Sequence, residues 1–180
     1  MPCSDTFQQL HNQRSTYIEQ YNPDWKTQFE TEATQLKSLL NIKALDIEHI
    51  GSTAIPGMNA KPVIDILITV NNIQDIDTFN HTLALYGYIA GGEFGIVGRR
   101  FFCKSDLKEC YTHLHVYNKN HPSVPTYRLF RDYMISHPTD AQKYASLKAI
   151  LARKYSNDRR LYTQHKNSFI QEVLAKAAVL

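Results

Sequence analysis

IEHIGSTAIPGMNAKPVIDILITV, the segment from Ile47 to Val70, decides the reading of this chain. Leu45 to Ile50 reads as a strand. Gly51 to Pro62, punctuated by Gly51, Pro56, Gly57 and Pro62, reads as a loop. Val63 to Val70 is apolar almost throughout, as in a strand covered on both faces. Its one acidic residue is Asp65. Gly51-Ser52-Thr53 thus lies between two strands. Gly51 lets the backbone approach a ligand closely, and the N–H groups and two hydroxyls could bind phosphate oxygens; a plain turn is the alternative. Side chains alternate across a strand, so Asp65 shares a face with Val63, Leu67 and Thr69. A carboxylate in so apolar a strand needs a partner. It is a metal ligand or general base, or else an Asp satisfied by a nearby Lys, Arg or His. Asp65 is expected to face a cleft beside Gly51-Ser52, with Lys61 between the two.

Upstream, Asn22-Pro23-Asp24 is a helix start, and Trp25, Phe29, Leu36 and Leu40 fall on one helical face. Residues 1–16 are polar and read as a loose lead-in. Downstream, Ile73, Ile76, Phe79 and Leu83 give a helical pattern over 73–86, stopped by Gly87. Gly91-Gly92 and Gly95 suggest a hairpin-like turn between strands. Arg99 to Lys104 and Tyr111 to Tyr117 then look like a strand pair. Three helical segments follow: Ser123 to Ser136, Thr139 to Tyr155, and Arg159 onward. Strands early and helices late indicate an α+β fold, a small mixed sheet with helices on one side. The last two helices either cover the sheet or form a dimer surface.

The 180 residues suit one domain. With 43% apolar and 21% charged residues the composition is that of an ordinary globular protein. A formal net charge of +3 permits anionic small molecules but does not indicate a nucleic-acid coat. Cys3, Cys103 and Cys110 form no CxxC pair, so reduced thiols are the expectation, and a disulfide framework is not. No apolar run is long enough to span a bilayer and the N-terminus lacks signal-peptide character, which points to the cytoplasm.

In Tyr111 to Tyr117, His113 and His115 share a face, and two imidazoles at i and i+2 can grip one metal. Strand pairing decides whether Asp65 joins them. His49 could join as well, or could point into the core. Arg100 could offer its guanidinium to a phosphate. Arg128, Arg131 and Asp132 read as an ordinary ion pair. Arg153, Lys154, Arg159 and Arg160 read as a solvated face. GxxxxGK[ST], GxSxG and GxGxxG are all absent.

IEHIGSTAIPGMNAKPVIDI resembles the signature of the GrpB family, small proteins with a nucleotidyltransferase-like fold. Tyr21, Pro23 and Trp25 resemble its Y-x-P-x-W element. Arg100-Phe101-Phe102 and Thr112 to Tyr117 resemble its middle strands. Phe130 to Pro138, with Ala141, Tyr144, Leu147 and Lys148, resembles its C-terminal helices. The resemblance covers about residues 16 to 175. It implies a nucleotidyltransferase-like core in which Gly-Ser ends a strand and a D-x-[DE] pair on the next strand binds metal. Asp65 matches the first carboxylate; Leu67 stands at the second. With that ligand missing, His113 and His115 would complete the site.

The expected cofactor is a divalent metal, Mg²⁺ or Mn²⁺, with Zn²⁺ a further candidate because imidazole suits it. The expected partner is a nucleotide or other phosphate-bearing small molecule, held by Gly51, Ser52, Thr53, Lys61 and Arg100, with neither nucleic acid nor membrane. The candidate activity is nucleotidyl transfer. The alternatives are a non-catalytic nucleotide-binding or folding-helper module that lost the second carboxylate, and a metal-dependent phosphohydrolase. Members joined to dephospho-CoA kinase imply an accessory role.

Overall fold

The computed structural model describes residues 17–105 and 110–179; the lead-in expected over 1–16, and Cys3 with it, lies outside them. Helix α1 (Asp24–Leu40) begins where the Asn22 side chain accepts the Asp24 N–H at 2.9 Å. A short 3₁₀ turn leads into β1 (Ala44–Ile50), and the 51–63 loop into β2 (Ile64–Val70). Two short helices follow, α2 (Gln74–Asp77) and α3 (Asn80–Leu85). They replace the single helix expected over 73–86. Its apolar face is kept, since Ile73, Ile76 and Leu83 are buried. Its continuity is lost where the Thr78 hydroxyl bonds back to the Asp75 carbonyl.

Strands β3 (Tyr88–Gly92), β4 (Arg100–Ser105) and β5 (Cys110–Asn118) complete a five-stranded sheet in the order β1-β2-β5-β4-β3. The β2–β5 pair is parallel and the others are antiparallel. Gly91-Gly92 is not the hairpin turn. It ends β3 in an irregular register, and the turn is made by 93–99. The Arg99 side chain donates to the carbonyls of Glu93 and Phe94 and ties that turn down. Helices α4 (Ser123–Ser136), α5 (Pro138–Lys154) and α6 (Arg159–Ala177) follow; the Asp158 carboxylate caps α6 by accepting the Leu161 N–H.

Helices cover both sheet faces, a correction to the one-sided packing expected from the sequence. On one face, Ile64, Ile66, Ile68, Val70, Phe102, Leu114 and Val116 pack against Trp25, Leu36 and Leu40 of α1. On the other, Ile50, Leu67 and Tyr117 pack against Val124 of α4. The face with fewer apolar residues is the one that carries Asp65. Helices α5 and α6 do not simply cover the sheet. Tyr144, Ala145 and Val173 pack with Tyr133 and Met134 of α4 on Ile55 and Met58 of the 51–63 loop. That loop is further held by a bridge between Glu19 and Ala60 and by the Lys148 ammonium on the Asn59 carbonyl at 2.7 Å.

Expectation also fails for the thiols. Cys103 and Cys110 form a disulfide, with Cα atoms 6.1 Å apart. They stand seven positions apart in sequence, but antiparallel pairing of β4 and β5 folds them together. Among the described residues, no helix is long and apolar enough to cross a membrane.

Leu67 is 0% exposed and sits in the cluster with Ile50, Tyr117 and Val124. Leu67→Asp should therefore cost about 3 kcal/mol or more, the range for truncating a buried Leu with an unsolvated carboxylate added. Urea denaturation with and without Mg²⁺ and nucleotide checks this. Restored stability on adding metal would overturn the packing role.

Candidate functional site

The register of β2 against β5 pairs Asp65 with His113 and Leu67 with His115. All four side chains therefore rise from one face. Asp65 Oδ1 accepts from His113 Nδ1 at 2.8 Å and faces His115 Nε2 at 3.4 Å. Next to β2, β1 ends in Ile50, the register partner of Asp65, and the chain turns at Gly51 with φ +74°. A Cβ built on Gly51 would fall 2.6 Å from Asp65 Oδ2. The carboxylate thus lies against the Gly51 backbone, as expected from the sequence.

Burial opposes a charge on Asp65, but the hydrogen bonds with His113 and His115 outweigh it and hold the carboxyl well below its usual range. Burial pushes His113 down to about 4 even though Asp65 pulls the other way, so its imidazole is neutral at pH 7. His115 Nδ1 lies 3.4 Å from the Tyr127 hydroxyl, which lies 3.3 Å from that of Tyr117. This chain fixes the ring that points at Asp65.

The three residues line a cleft of about 490 Å³. Gly51, Ser52, Thr53 and Lys61 line it too, so all but one of the sequence-predicted site residues are brought together. Their roles differ. Ser52 lines the cleft together with Tyr144 of α5. The Thr53 hydroxyl is turned inward, donating to the Val63 carbonyl at 3.1 Å and lying 3.0 Å from His49 Nε2. His49 stacks on Phe29 at 4.8 Å, on the sheet face opposite Asp65, and its pKa is lowered to about 4 mainly by burial. It braces the turn from behind and is not a ligand.

Arg100 is the exception. Its register partner is Val116, which faces away from His115, and its guanidinium makes a bidentate pair with Asp77 of α2 at 2.6 and 2.9 Å. The neighbouring Arg99 lines the cleft instead, 5.0 Å above the Phe101 ring centroid.

Among the described residues, five cationic side chains line the cleft (Lys61, Arg99, Lys148, Arg159 and Lys166) against a single carboxylate, Asp65. The sequence reading named Lys148 only for its family resemblance, gave neither it nor Lys166 a place in the site, and assigned Arg159 to a solvated face. Lys148 is 2% exposed, lies 4.8 Å from the Tyr144 ring centroid, and is pushed down to about 7 by burial, reinforced by Lys166. One signal was available: a Lys four residues after Tyr144, with both on the buried side of α5. The other carboxylate on this sheet face near Leu67 is Glu48, its register partner on β1. Arg128 and Arg131 engage it at 2.5 and 3.2 Å, so it does not stand in for a second ligand.

Asp65, His113 and His115 can each offer an atom within 4.8 Å of the others, close enough for one ion to draw together. Two imidazoles with one carboxylate favour a transition metal over Mg²⁺.

Residues 15–176 match the family model described as "GrpB protein". The UPF0157 protein YqkA of Bacillus subtilis is 39% identical over 162 residues, which is 90% of this chain but 47% of that protein. The chain thus spans about half the length of YqkA. The glutamate-rich protein GrpB of Alkalihalophilus pseudofirmus is 36% identical over 167 residues, covering 91% of this chain and 96% of that one. The crystal structure of the conserved protein GrpB from Enterococcus faecalis superposes with TM-score 0.85 at 35% identity, over 89% of this chain and 96% of that one.

Gly51 and Gly57 share φ +74°, but a Cβ on Gly57 would meet nothing within 4 Å. Gly51→Ala should therefore cost at least about 1 kcal/mol more than Gly57→Ala, the size of a local steric strain added to a shared backbone penalty. Chemical denaturation of the pair measures this. Equal losses would mean that Asp65 is not pressed against the turn.

Proposed function

The chain belongs to the GrpB family, and we propose that its cleft binds a nucleotide or related phosphate-bearing small molecule together with one divalent transition metal. The observation that carries this reading is the Asp65–His113–His115 group at the floor of a cleft rich in cations. A bound Mn²⁺ or Zn²⁺ would supply Lewis-acid neutralisation of phosphate charge. Asp65, His113 and His115 would hold it, and Tyr127 would keep His115 oriented. The Gly51-Ser52 backbone would take phosphate oxygens at close range. Lys148, Lys166 and Arg159, reaching in from α5 and α6, would balance the negative charge of a polyphosphate tail.

Nucleotidyl transfer would then follow as attack on the α-phosphate with pyrophosphate leaving toward the lysines. A second reading has its own observation. Leu67 is packed and Glu48 is held by two arginines, so the cleft has one carboxylate where two-metal chemistry uses a pair. On that reading the protein binds a nucleotide without turning it over. Pyrophosphate release with each nucleoside triphosphate and Mn²⁺ separates the two.

Asp65→Ala and His115→Ala should each weaken Mn²⁺ binding at least about 10-fold, the usual effect of losing a ligand or its support. Unchanged calorimetric affinity in both variants rejects the metal site.

Lys148 carries a pH signature. Its folded pKa of about 7 lies below the ordinary lysine value, so the unfolded chain holds more protons between the two. Stability contributed by this group therefore rises with pH from about 7 to about 10 and is absent below that window. A bound polyphosphate reverses the preference by favouring the ammonium. Triphosphate binding at pH 8 should take up about one proton fewer in Lys148→Met than in wild type. Calorimetry in buffers of different ionisation enthalpy reads the difference. Equal uptake in both proteins would remove Lys148 from the binding site.

A further inference from the structure

Beside the Asp65 group lies a second set of ligands. Cys103, Cys110 and His113 can each offer an atom within 4.8 Å of the others, and all three are buried. Their convergence is a product of the strand pairing. Cys103 of β4 is the register partner of His113 on β5. Simple alternation would put Cys110 on the opposite face, because it lies three residues from His113. Instead the register shifts: Lys104 pairs with Thr112 but Ser105 pairs with Cys110, leaving Tyr111 as the extra residue. This bulge turns Cys110 onto the face of Cys103 and leaves Tyr111 exposed. Without it the two sulfurs could not meet.

We propose that, in the dithiol form, Cys103, Cys110 and His113 make a soft-metal site selective for Zn²⁺, sharing only His113 with the Asp65–His113–His115 group and switched off when the two cysteines form their disulfide. The ligand set is two thiolates and one imidazole, which is zinc chemistry. His113 Nδ1 donating to Asp65 leaves the lone pair on Nε2, a buried atom. Asp65 then acts as the carboxylate behind a metal-bound histidine, fixing its tautomer and raising its basicity. The three side chains leave the fourth tetrahedral position for water or an added ligand. Reduction by a dithiol adds two electrons and two protons across the sulfur–sulfur bond and gives two thiols. Metal binding releases both protons, and Zn²⁺ itself is not reduced. Oxidation of the zinc-bound dithiolate by hydrogen peroxide takes up two protons, returns the disulfide and two waters, and expels the ion.

The test is a Co²⁺ titration of the full chain, reduced with a phosphine and followed at the thiolate-to-cobalt charge-transfer band. One equivalent should produce the band in the dithiol form and none in the disulfide form. Cys103→Ser and Cys110→Ser should each weaken it at least about 10-fold, whereas His115→Ala and Cys3→Ser should leave it within about 2-fold. A readout that needs no variant is Zn²⁺ protection of Cys103 and Cys110 from iodoacetamide, mapped by peptide mass; at least about 10-fold slower alkylation is expected. Absence of the band in the reduced wild type, its survival in both cysteine variants, or equal alkylation with and without Zn²⁺ would each overturn the proposal.

Discussion

The hydrogen bonds that join Asp65 to His113 and His115 across the parallel β2–β5 pair are the constraint on which the rest of the site depends. A carboxylate placed in an apolar strand would be costly if left unpaired. Its partners come from a strand 48 and 50 residues away, so the pairing exists only once the crossover through α2, α3, β3 and β4 is complete. A slip of one residue in that register would turn both imidazoles to the α1 side of the sheet. Gly51 closes the arrangement from the other edge, because any side chain there would strike the same carboxylate. The apolar cluster of Ile50, Leu67, Tyr117 and Val124 holds the register in place beneath it.

The single carboxylate also explains the character of the cleft. Five cations around one anion would repel one another if all were charged. The strain is eased by Lys148, whose burial leaves it near half-protonated at neutral pH, and by Arg99, whose guanidinium lies on backbone carbonyls and the Phe101 ring. An anionic ligand bound as proposed would remove the repulsion and desolvate the site further. Its affinity should thus owe more to the helices α5 and α6 than to the turn at Gly51. The C-terminal helices are part of the site, and the docking of Ile55 and Met58 between them sets the distance from their lysines to the Asp65 face.

How much of this was legible in the sequence follows from which physical rules are local. Alternation is local, so the shared face of His113 and His115 and the lone Asp65 could be read from the chain, and the loop punctuation placed Gly51 beside that carboxylate. The same rule, applied strictly, would have excluded Arg100, since it sits one residue from Phe101 on the opposite side of β4; the twin arginines hid this. Long-range contacts are not local. The lysines of α5 and α6 reach the cleft only through tertiary packing, and Arg159 looks like any exposed residue near a helix start. The Cys103–Cys110 contact was missed because spacing alone does not reveal a hairpin with a bulge in its second strand. The helix expected over 73–86 failed for a subtler reason: its apolar face is correct, but a Thr hydroxyl competes for a backbone carbonyl in its middle.

His113 is where these features meet. It sits between Asp65 on one neighbouring strand and Cys103 on the other, and a neutral imidazole has one lone pair to give. An ion drawn between Asp65 and His115 takes Nδ1 and requires the proton on Nε2; an ion on the sulfurs takes Nε2 and requires the proton on Nδ1. Bridging both would demand an imidazolate, which burial disfavours as it disfavours any unpaired charge. Two ions held as proposed would therefore compete through a single proton. On these two proposals, sulfur chemistry on the β4–β5 hairpin would be coupled to ligand binding at the Gly51 turn through His113 alone.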